Sequence, residues 1–354
     1  MRCQNCTTTP KLPQNIKKIV IFASHEYMLK KIYNIYKDIF NIEYFNDYVI
    51  CNVDFDYFIE NISNSKEFTE LELENIYILP LELDEDFNFA TLKKYKSLSY
   101  YISLYHSSDL KWILDNESIV TYFQPIVSCD NLEIVAYECL SRGIKQDGTV
   151  MPPNLMFESA RKTGMLFNLD RLCRVKALKN AKSKNIQKDI FINFAPTSIY
   201  NPEFCLKDTV NTALELNFDP SKIVFEVIES EKVEKFEHLT NIINFYRNRG
   251  FRVAIDDVGS GYSGLNQLVQ LNPDMIKIDI ELVRDIDKNP VKRAVVSSIV
   301  QIATEIGAKT LAEGIETKDE FNVVKTLGVN LAQGYLFGKP SPEPLRSLGD
   351  IRLD

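Results

Sequence analysis

The stretch VAIDDVGSGYSGLNQL, residues 253–268, sets Asp256 and Asp257 side by side at the end of an apolar run, and three glycines follow within residues 259–264. Adjacent carboxylates at the mouth of a strand suit one chemistry well. One can bridge two divalent ions while its neighbour holds the second, the arrangement for in-line displacement at phosphorus with ions roughly 4 Å apart. The glycines of GSGYSG then belong to a loop that must move or approach a ligand closely. Without the aspartates they would read as a simple tight turn.

Other apolar runs carry the same kind of signal. Glu138, Asn193, Glu226, Lys277, Glu313 and Gln333 interrupt or end theirs, so that, with the Asp256–Asp257 pair, seven successive runs each bear one or two polar residues. A glutamate at one strand end is usually solvated, and a lysine in MIKID can simply pair with a nearby carboxylate. Seven runs obeying one rule point instead to a shared cavity. There Glu138, Glu226, Asp256, Asp257 and Glu313 would face a single lysine, and they cannot all stay ionised without protons or cations. The candidate ligands are oxygen donors, with neither His nor Cys at these positions, so Mg²⁺ or Mn²⁺ fits better than Zn²⁺.

The elements that must position these residues begin near residue 120. Val- and Ile-rich runs (IVTYFQPIV, EIVAYECL, DIFINFAP, KIVFEVIE, FRVAIDDV, MIKIDI, AKTLAEGI and NLAQGYLF) alternate with stretches of helical period at 153–163, 169–182, 235–249 and 291–306. Repeated βα units at this spacing predict a closed (β/α)8 barrel, with an open doubly wound sheet as the alternative. In a barrel the site lies at the C-terminal ends of the strands, where the polar residues fall.

Residues 1–107 have no glycine and few elements. The pattern predicts strands at 17–23, 43–51 and 75–80 and helices at 26–40 and 55–63, a small α/β N-terminal domain, with a helical segment at 92–116 leading into the barrel. A phosphoacceptor domain of the receiver type would place an acidic pair after the first strand; IFASHEYM offers none. The expected domains are 1–107, 108–345 and a tail at 346–354.

A formal net charge of −8, without a block of like charges, argues against a DNA or RNA polymer or an anionic membrane surface as partner. No apolar run approaches the 18 or so residues of a membrane span, and no signal-peptide core opens the chain, so a cytoplasmic protein without membrane insertion is expected. Five of the seven cysteines sit singly in apolar segments and read as reduced thiols. Cys3 and Cys6 form a C-x-x-C that could be half of a Zn²⁺ site.

Residues 108–345 resemble the EAL-domain family of cyclic-di-GMP phosphodiesterases. The likeness rests on YFQPIV (122–127), ECLSR (138–142), INFAP (192–196), EVIES (226–230), DDVGSGYSGL (256–265), IKID (276–279), AEGIE (312–316) and QGYLFGKP (333–340), in the family's order. The resemblance implies a modified TIM barrel and metal-dependent opening of one phosphodiester of cyclic di-GMP to the linear dinucleotide. Glu138, Asn193, Glu226 and Asp256 would hold one metal; Asp256, Asp257 and Glu313 would serve the other. Lys277 would orient the attacking water and Glu229 would anchor the glycine loop. Arg142 would bind a substrate phosphate, with Gln124, Leu140, Gln333 and Pro340 also facing the substrate and Gln333 completing the first metal's surroundings. A homodimer through the barrel and regulation by the N-terminal domain are the expected context. Cys139, Ala195, Ile228 and Val258 depart from common family residues without touching these positions. The alternatives are a catalytically weak or inactive cyclic-di-GMP receptor of this type, signalling through protein–protein contacts, and another metal-dependent barrel enzyme.

Overall fold

The structure, a computed structural model, describes residues 9–82, 85, 88–228, 236–258 and 271–349, with backbone alone at 228, 236, 257 and 258. Cys3, Cys6, Glu229, the GSGYSG loop and the last five residues lie outside the described residues.

The N-terminal part forms a five-stranded sheet in the order β2-β3-β1-β4-β5. Its strands are β1 (Lys18–Ala23), β2 (Asn41–Tyr44), β3 (Val49–Asn52), β4 (Ile76–Leu81) and β5 (Lys96–Ser97), paired antiparallel throughout. With helices at Glu26–Tyr36 and Phe55–Asn64 this is a split βαβ arrangement with one added strand. Alternation along β1 sends Ile19 and Ile21 into the cluster with Leu29, Ile32, Phe58 and Ile59. The strand expected at 43–51 is a hairpin, because Asn46 and Asp47 are turn formers and the Phe45 N–H donates to the Tyr48 carbonyl at 2.9 Å. The helix expected at 26–40 ends at Tyr36. The segment 92–116 resolves into helices Leu98–Tyr105 and Ser108–Asp115, parted where the Ser107 hydroxyl donates to the Leu104 carbonyl at 2.7 Å.

The eight apolar runs are the eight staves of a closed barrel. They are β6 (Ile119–Ser128), β7 (Ile134–Ile144), β9 (Asp189–Phe194), β10 (Ile223–Ile228), β11 (Arg252–Val258), β12 (Met275–Ile278), β13 (Lys309–Ala312) and β14 (Leu331–Gln333). The two-residue β8 (Val150–Met151) folds back on β7 outside the ring. Neighbours from β7 through β9 to β14 run parallel, whereas β6 closes the ring antiparallel to both β7 and β14. This reversed stave is what modifies the TIM barrel. Helices Pro153–Thr163, Leu166–Ser183, Phe236–Arg247, Pro290–Ile306 and Lys318–Thr326 clothe it. Among the described residues no helix is long and apolar enough to cross a membrane.

Strand period decides what fills the barrel. Ile126, Ala136, Phe191, Val224, Ala254, Met275 and Leu311, with Leu331, form an apolar plug. Two residues further along each parallel stave come Glu138, Asn193, Glu226, Asp256, Lys277, Glu313 and Gln333, which return to the interior one layer higher. Because β6 runs the other way, its member of that layer precedes the plug residue: Gln124, two before Ile126. The intervening residues Ile190, Ile192, Phe225, Val253 and Ile276 face outward into the core beneath the helices.

Candidate active site

The layer above the plug is a ring of polar side chains, almost all sealed from water. Glu226 is 0% exposed, Lys277 1%, Gln333 3%, Glu138 7%, and Gln124 and Asp256 8%. The Lys277 ammonium lies 2.8 Å from Glu226 Oε1, 2.9 Å from Asp256 Oδ1 and 2.7 Å from Glu313 Oε1. On the other side, Glu138 is held by amides: Asn193 Nδ2 donates to its Oε1 at 3.0 Å and Gln333 Nε2 to its Oε2 at 2.6 Å. Gln333 Nε2 also donates to Gln124 Oε1 at 3.0 Å, and Gln124 Nε2 to the Gly338 carbonyl at 3.3 Å.

Four carboxylates facing one ammonium leave an excess of three negative charges when all are ionised. Burial pushes the Glu226 carboxyl well up, Lys277 opposing and the other carboxylates adding to the rise. Burial likewise lifts Glu313 to about 8 against the pull of Lys277. Burial would lower Lys277, yet Asp256, Glu226 and Glu313 together raise it well above its ordinary value, so it stays an ammonium.

Two observations bear on whether cations fit here. Neither oxygen of the fully buried Glu226 has a hydrogen-bond donor in bonding geometry, although Lys277 is within ion-pair distance. Such atoms are costly unless something binds them. The donor set, carboxylates and amide oxygens, is that of hard divalent ions. Among the described residues no three His, Cys, Asp or Glu side chains stand around a centre that could hold an ion. Glu226, Asp256 and Glu313 converge on the Lys277 ammonium, and the Asp257 side chain is not among those described. In donor chemistry the residues fit a hard divalent ion.

The adjacent aspartates also have a backbone explanation. Between β11 and β12, Ile255 pairs with Ile276 but Val258 pairs with Ile278, so Asp256 and Asp257 together oppose Lys277 alone. This is a β-bulge, a device that re-aims strand residues beside active sites. Asp257 has backbone alone described.

Glu313 depends on two glycines. Gly314 has φ +69°, and a Cβ on Gly334 would lie 1.9 Å from the Ile315 carbonyl oxygen. Only glycine lets the chain after β14 press onto the loop after β13. There the Ile315 N–H donates to the Gln333 carbonyl at 3.0 Å and the Leu336 N–H to the Ile315 carbonyl at 3.1 Å.

Beside the ring opens a cavity of about 310 Å³, whose lining includes Leu140, Arg142 and Asn193. Arg142 Nη1 donates to the Ser141 carbonyl at 2.9 Å, and its guanidinium lies 5.3 Å from the centre of the Tyr122 ring. Burial lowers its pKa, Tyr122 and Glu138 opposing. Gln124 and Gln333 stay within the ring, outside that lining, and Pro340 lies half-buried beside Ser341, whose backbone pairs with Phe123.

Sequence reasoning missed two acids. Asp279 follows Lys277 by two, is 8% exposed, and accepts from the Glu281 N–H at 2.7 Å. IKID contains it, and the period-two rule that singled out Lys277 selects it as well. Asp170, 2% exposed, pairs with the fully buried Arg174 and accepts from the Ala195 N–H at 2.9 Å and the Ser198 hydroxyl at 2.7 Å. It braces the segment after Asn193. An Asp–Arg pair four residues apart on a helix looks in sequence like an ordinary surface pair.

Residues 108–340 match the EAL domain family. The cyclic di-GMP phosphodiesterase PdeR of Escherichia coli K12 is 31% identical over 247 residues, 68% of this chain and 36% of that protein. The chain thus spans about a third of that relative's length. A standalone versatile EAL protein from Vibrio cholerae O395, solved in its c-di-GMP-bound form, is 36% identical with a TM-score of 0.59, over 65% of this chain and 94% of that one. The PaMucR phosphodiesterase in complex with c-di-GMP is 26% identical with a TM-score of 0.60, over 67% and 96%. A barrel with one reversed stave and a carboxylate-rich ring above its plug, matched over most of its length, makes this chain a member of the EAL-domain family.

Proposed function

We propose that the chain hydrolyses one phosphodiester bond of cyclic di-GMP to the linear dinucleotide, using two Mg²⁺ or Mn²⁺ ions. The observation that carries this reading is Glu226, fully buried in a ring of oxygen ligands, with the Lys277 ammonium at Oε1 and no donor at Oε2, beside a cavity bearing an arginine. The names of PdeR and PaMucR, and the c-di-GMP bound to the Vibrio cholerae protein, support it.

In this reading Glu138, Asn193, Glu226 and Asp256 hold one ion, and Asp256, Asp257 and Glu313 the other, with Asp279 a further buried carboxylate on that side. When bound, the ions lower the pKa of water and offset charge developing on the phosphoryl oxygens. Gln333 and Asn193 fix the Glu138 carboxylate by donating to both of its oxygens. Lys277, held as an ammonium, donates hydrogen bonds; it orients water or substrate oxygen and does not take a proton. Arg142 offers its fork to a phosphate, a task for which guanidinium geometry suits. The loop-anchor role of Glu229 rests on the family resemblance alone.

We take 1–107 as a regulatory domain. Helix Leu98–Tyr105 supports this, since Leu98 and Tyr101 join the N-terminal core while Leu104 packs in one cluster with Met156 and Ala160 of helix Pro153–Thr163. Lys162 on that helix also pairs with Glu70 at 3.2 Å. A homodimer through the barrel is in keeping with Ile280 and Val291, exposed on its outer helices. A cytoplasmic setting accords with the five described cysteines, all free and buried. Zinc at Cys3 and Cys6 rests on spacing alone.

The test is incubation of the purified chain with cyclic di-GMP and Mg²⁺ or Mn²⁺, followed by separation of the nucleotides. Linear dinucleotide supports the reading. Tight binding with no product overturns it in favour of a receptor.

A further inference from the structure

Helix Ser108–Asp115 is fastened to the end of β7 that carries Arg142. By strand period Glu138, Leu140 and Arg142 share one face of β7, while Cys139, Ser141 and Gly143 share the other. Gly143 is buried, and a Cβ on it would lie 2.5 Å from Ile113 Cδ1 and 3.0 Å from Met156 Sδ. The end of the Ile113 side chain thus rests on bare backbone next to Arg142. Main-chain bonds make a second tie: the Ser118 N–H donates to the Ile113 carbonyl at 2.8 Å, and the Ile144 N–H donates to the Ser118 carbonyl at 2.8 Å. Asp109, in the first turn of the helix, adds a third by pairing with Lys145 at 2.9 Å. We infer that Ile113 is a positioning residue for Arg142: seated on Gly143, it fixes the part of β7 from which the guanidinium reaches a substrate phosphate. This rests on the cyclic di-GMP reading above.

Packing leaves Ile113 little freedom to swing aside. It is 0% exposed and belongs to one cluster with Leu110, Met151 and Met156, and an interior at native density has no spare room for a moved methyl group. A shift between helix and strand is therefore taken up at the Gly143 backbone and passes to the Cα of Arg142, ~3.8 Å away. The guanidinium follows, because its Nη1 donates to the Ser141 carbonyl of the same strand. A misplacement of about 1 Å remote from the chemistry can cost about 100-fold. Glu138, further back on β7, is held separately by Asn193 and Gln333, so the Arg142 end can move without it. The same cluster takes in Leu104 of helix Leu98–Tyr105, whose Leu98 and Tyr101 belong to the N-terminal core. The clamp is thus continuous with the N-terminal domain.

The experiment uses the full chain and measures KM and kcat for cyclic di-GMP in Mg²⁺, and Kd with Ca²⁺ in its place. Arg142→Ala should weaken binding by about 10- to 150-fold, the span of a hydrogen bond to a charged group. Gly143→Ala should raise Kd and KM by at least about fivefold with kcat within about twofold, the signature of lost uniform binding. Ile113→Val removes the atom that the new methyl meets most closely, so the Gly143→Ala, Ile113→Val double variant should return to within about twofold of wild type. On an Arg142→Ala background Gly143→Ala should add less than about twofold, because both act on one contact. Ile113→Ala cannot clash; by loosening the clamp it should raise KM at least about threefold, and it carries the test if Gly143→Ala does not fold. A KM within about twofold of wild type in Gly143→Ala or, failing that variant, in Ile113→Ala overturns the inference, as do a failed rescue by Ile113→Val and effects of Gly143→Ala and Arg142→Ala that multiply. Unchanged binding in Arg142→Ala overturns it while leaving hydrolysis standing. A wild type that neither binds nor cleaves cyclic di-GMP fails the proposed function itself, before any variant is made.

Discussion

Replacing Lys277 by methionine removes the one ammonium of the ring while keeping an unbranched stem of similar length. Its three contacts, at 2.7–2.9 Å, are each worth about 6 kcal/mol of gross attraction at an effective dielectric of 20. Desolvation and mutual repulsion of the carboxylates offset most of this, and breaking a buried ion pair typically costs about 3–5 kcal/mol. For a domain of this size, that lowers Tm by roughly 6–20 °C. The loss should be largest in chelator. Divalent ions bound as proposed would compete with the ammonium for the same oxygens, so Lys277→Met should bind Mg²⁺ more tightly than wild type and gain more from it. An ion at about 100 times its Kd returns about 2.7 kcal/mol. The assay is thermal unfolding of both proteins in EDTA and in Mg²⁺, with turnover measured alongside; turnover should fall even where stability recovers. A variant within about 2 °C of wild type in EDTA, or an equal Mg²⁺ shift in both proteins, would refute the idea that Lys277 holds the place of the cations.

Asp256→Asn should cost more than about tenfold in kcat, or ~1.4 kcal/mol of transition-state stabilisation, and Ca²⁺ should inhibit the wild type, because its longer bonds spoil the reactive register; steady-state kinetics checks both. Gly334→Ala would drive a Cβ to 1.9 Å from the Ile315 carbonyl oxygen, so the loop bearing Glu313 must shift. A loss of about 2 kcal/mol or more in denaturant unfolding, with reduced turnover, is expected. In metal-free protein the Glu313 carboxyl is raised from 4.5 to about 8. A raised carboxyl contributes stability that is full below its unfolded pKa and is lost as pH climbs through the folded value. Tm in EDTA should therefore fall between about pH 4.5 and 8, and Mg²⁺ should flatten the profile.

The barrel was legible because eight Val- and Ile-rich runs alternate with helical periods at βα spacing, an alternation that by itself left an open doubly wound sheet as the alternative. Polar residues at the ends of seven runs then gave the ring its members. Direction was not legible: nothing in IVTYFQPIV says that β6 runs against its neighbours, and this reversal is what brings Gln124 level with Glu138. Periodicity also failed where two short elements share one apolar stretch, as at β2 and β3, and where helix 98–105 breaks before 108–115. Thr69, with Glu72 three residues on, forms a capping box that starts the unanticipated helix Glu70–Asn75. Asp170 was invisible for a different reason. Its partners Ala195 and Ser198 are distant in sequence, and burial alone separates it from a surface acid.

The most direct measurement is turnover of cyclic di-GMP by metal-stripped protein as Mn²⁺ is titrated back. Stripped protein should yield no linear dinucleotide, and activity should return as the ions bind. Undiminished hydrolysis in the stripped protein, or none at saturating Mn²⁺, would contradict the assignment of the polar ring as a metal-dependent phosphodiesterase site.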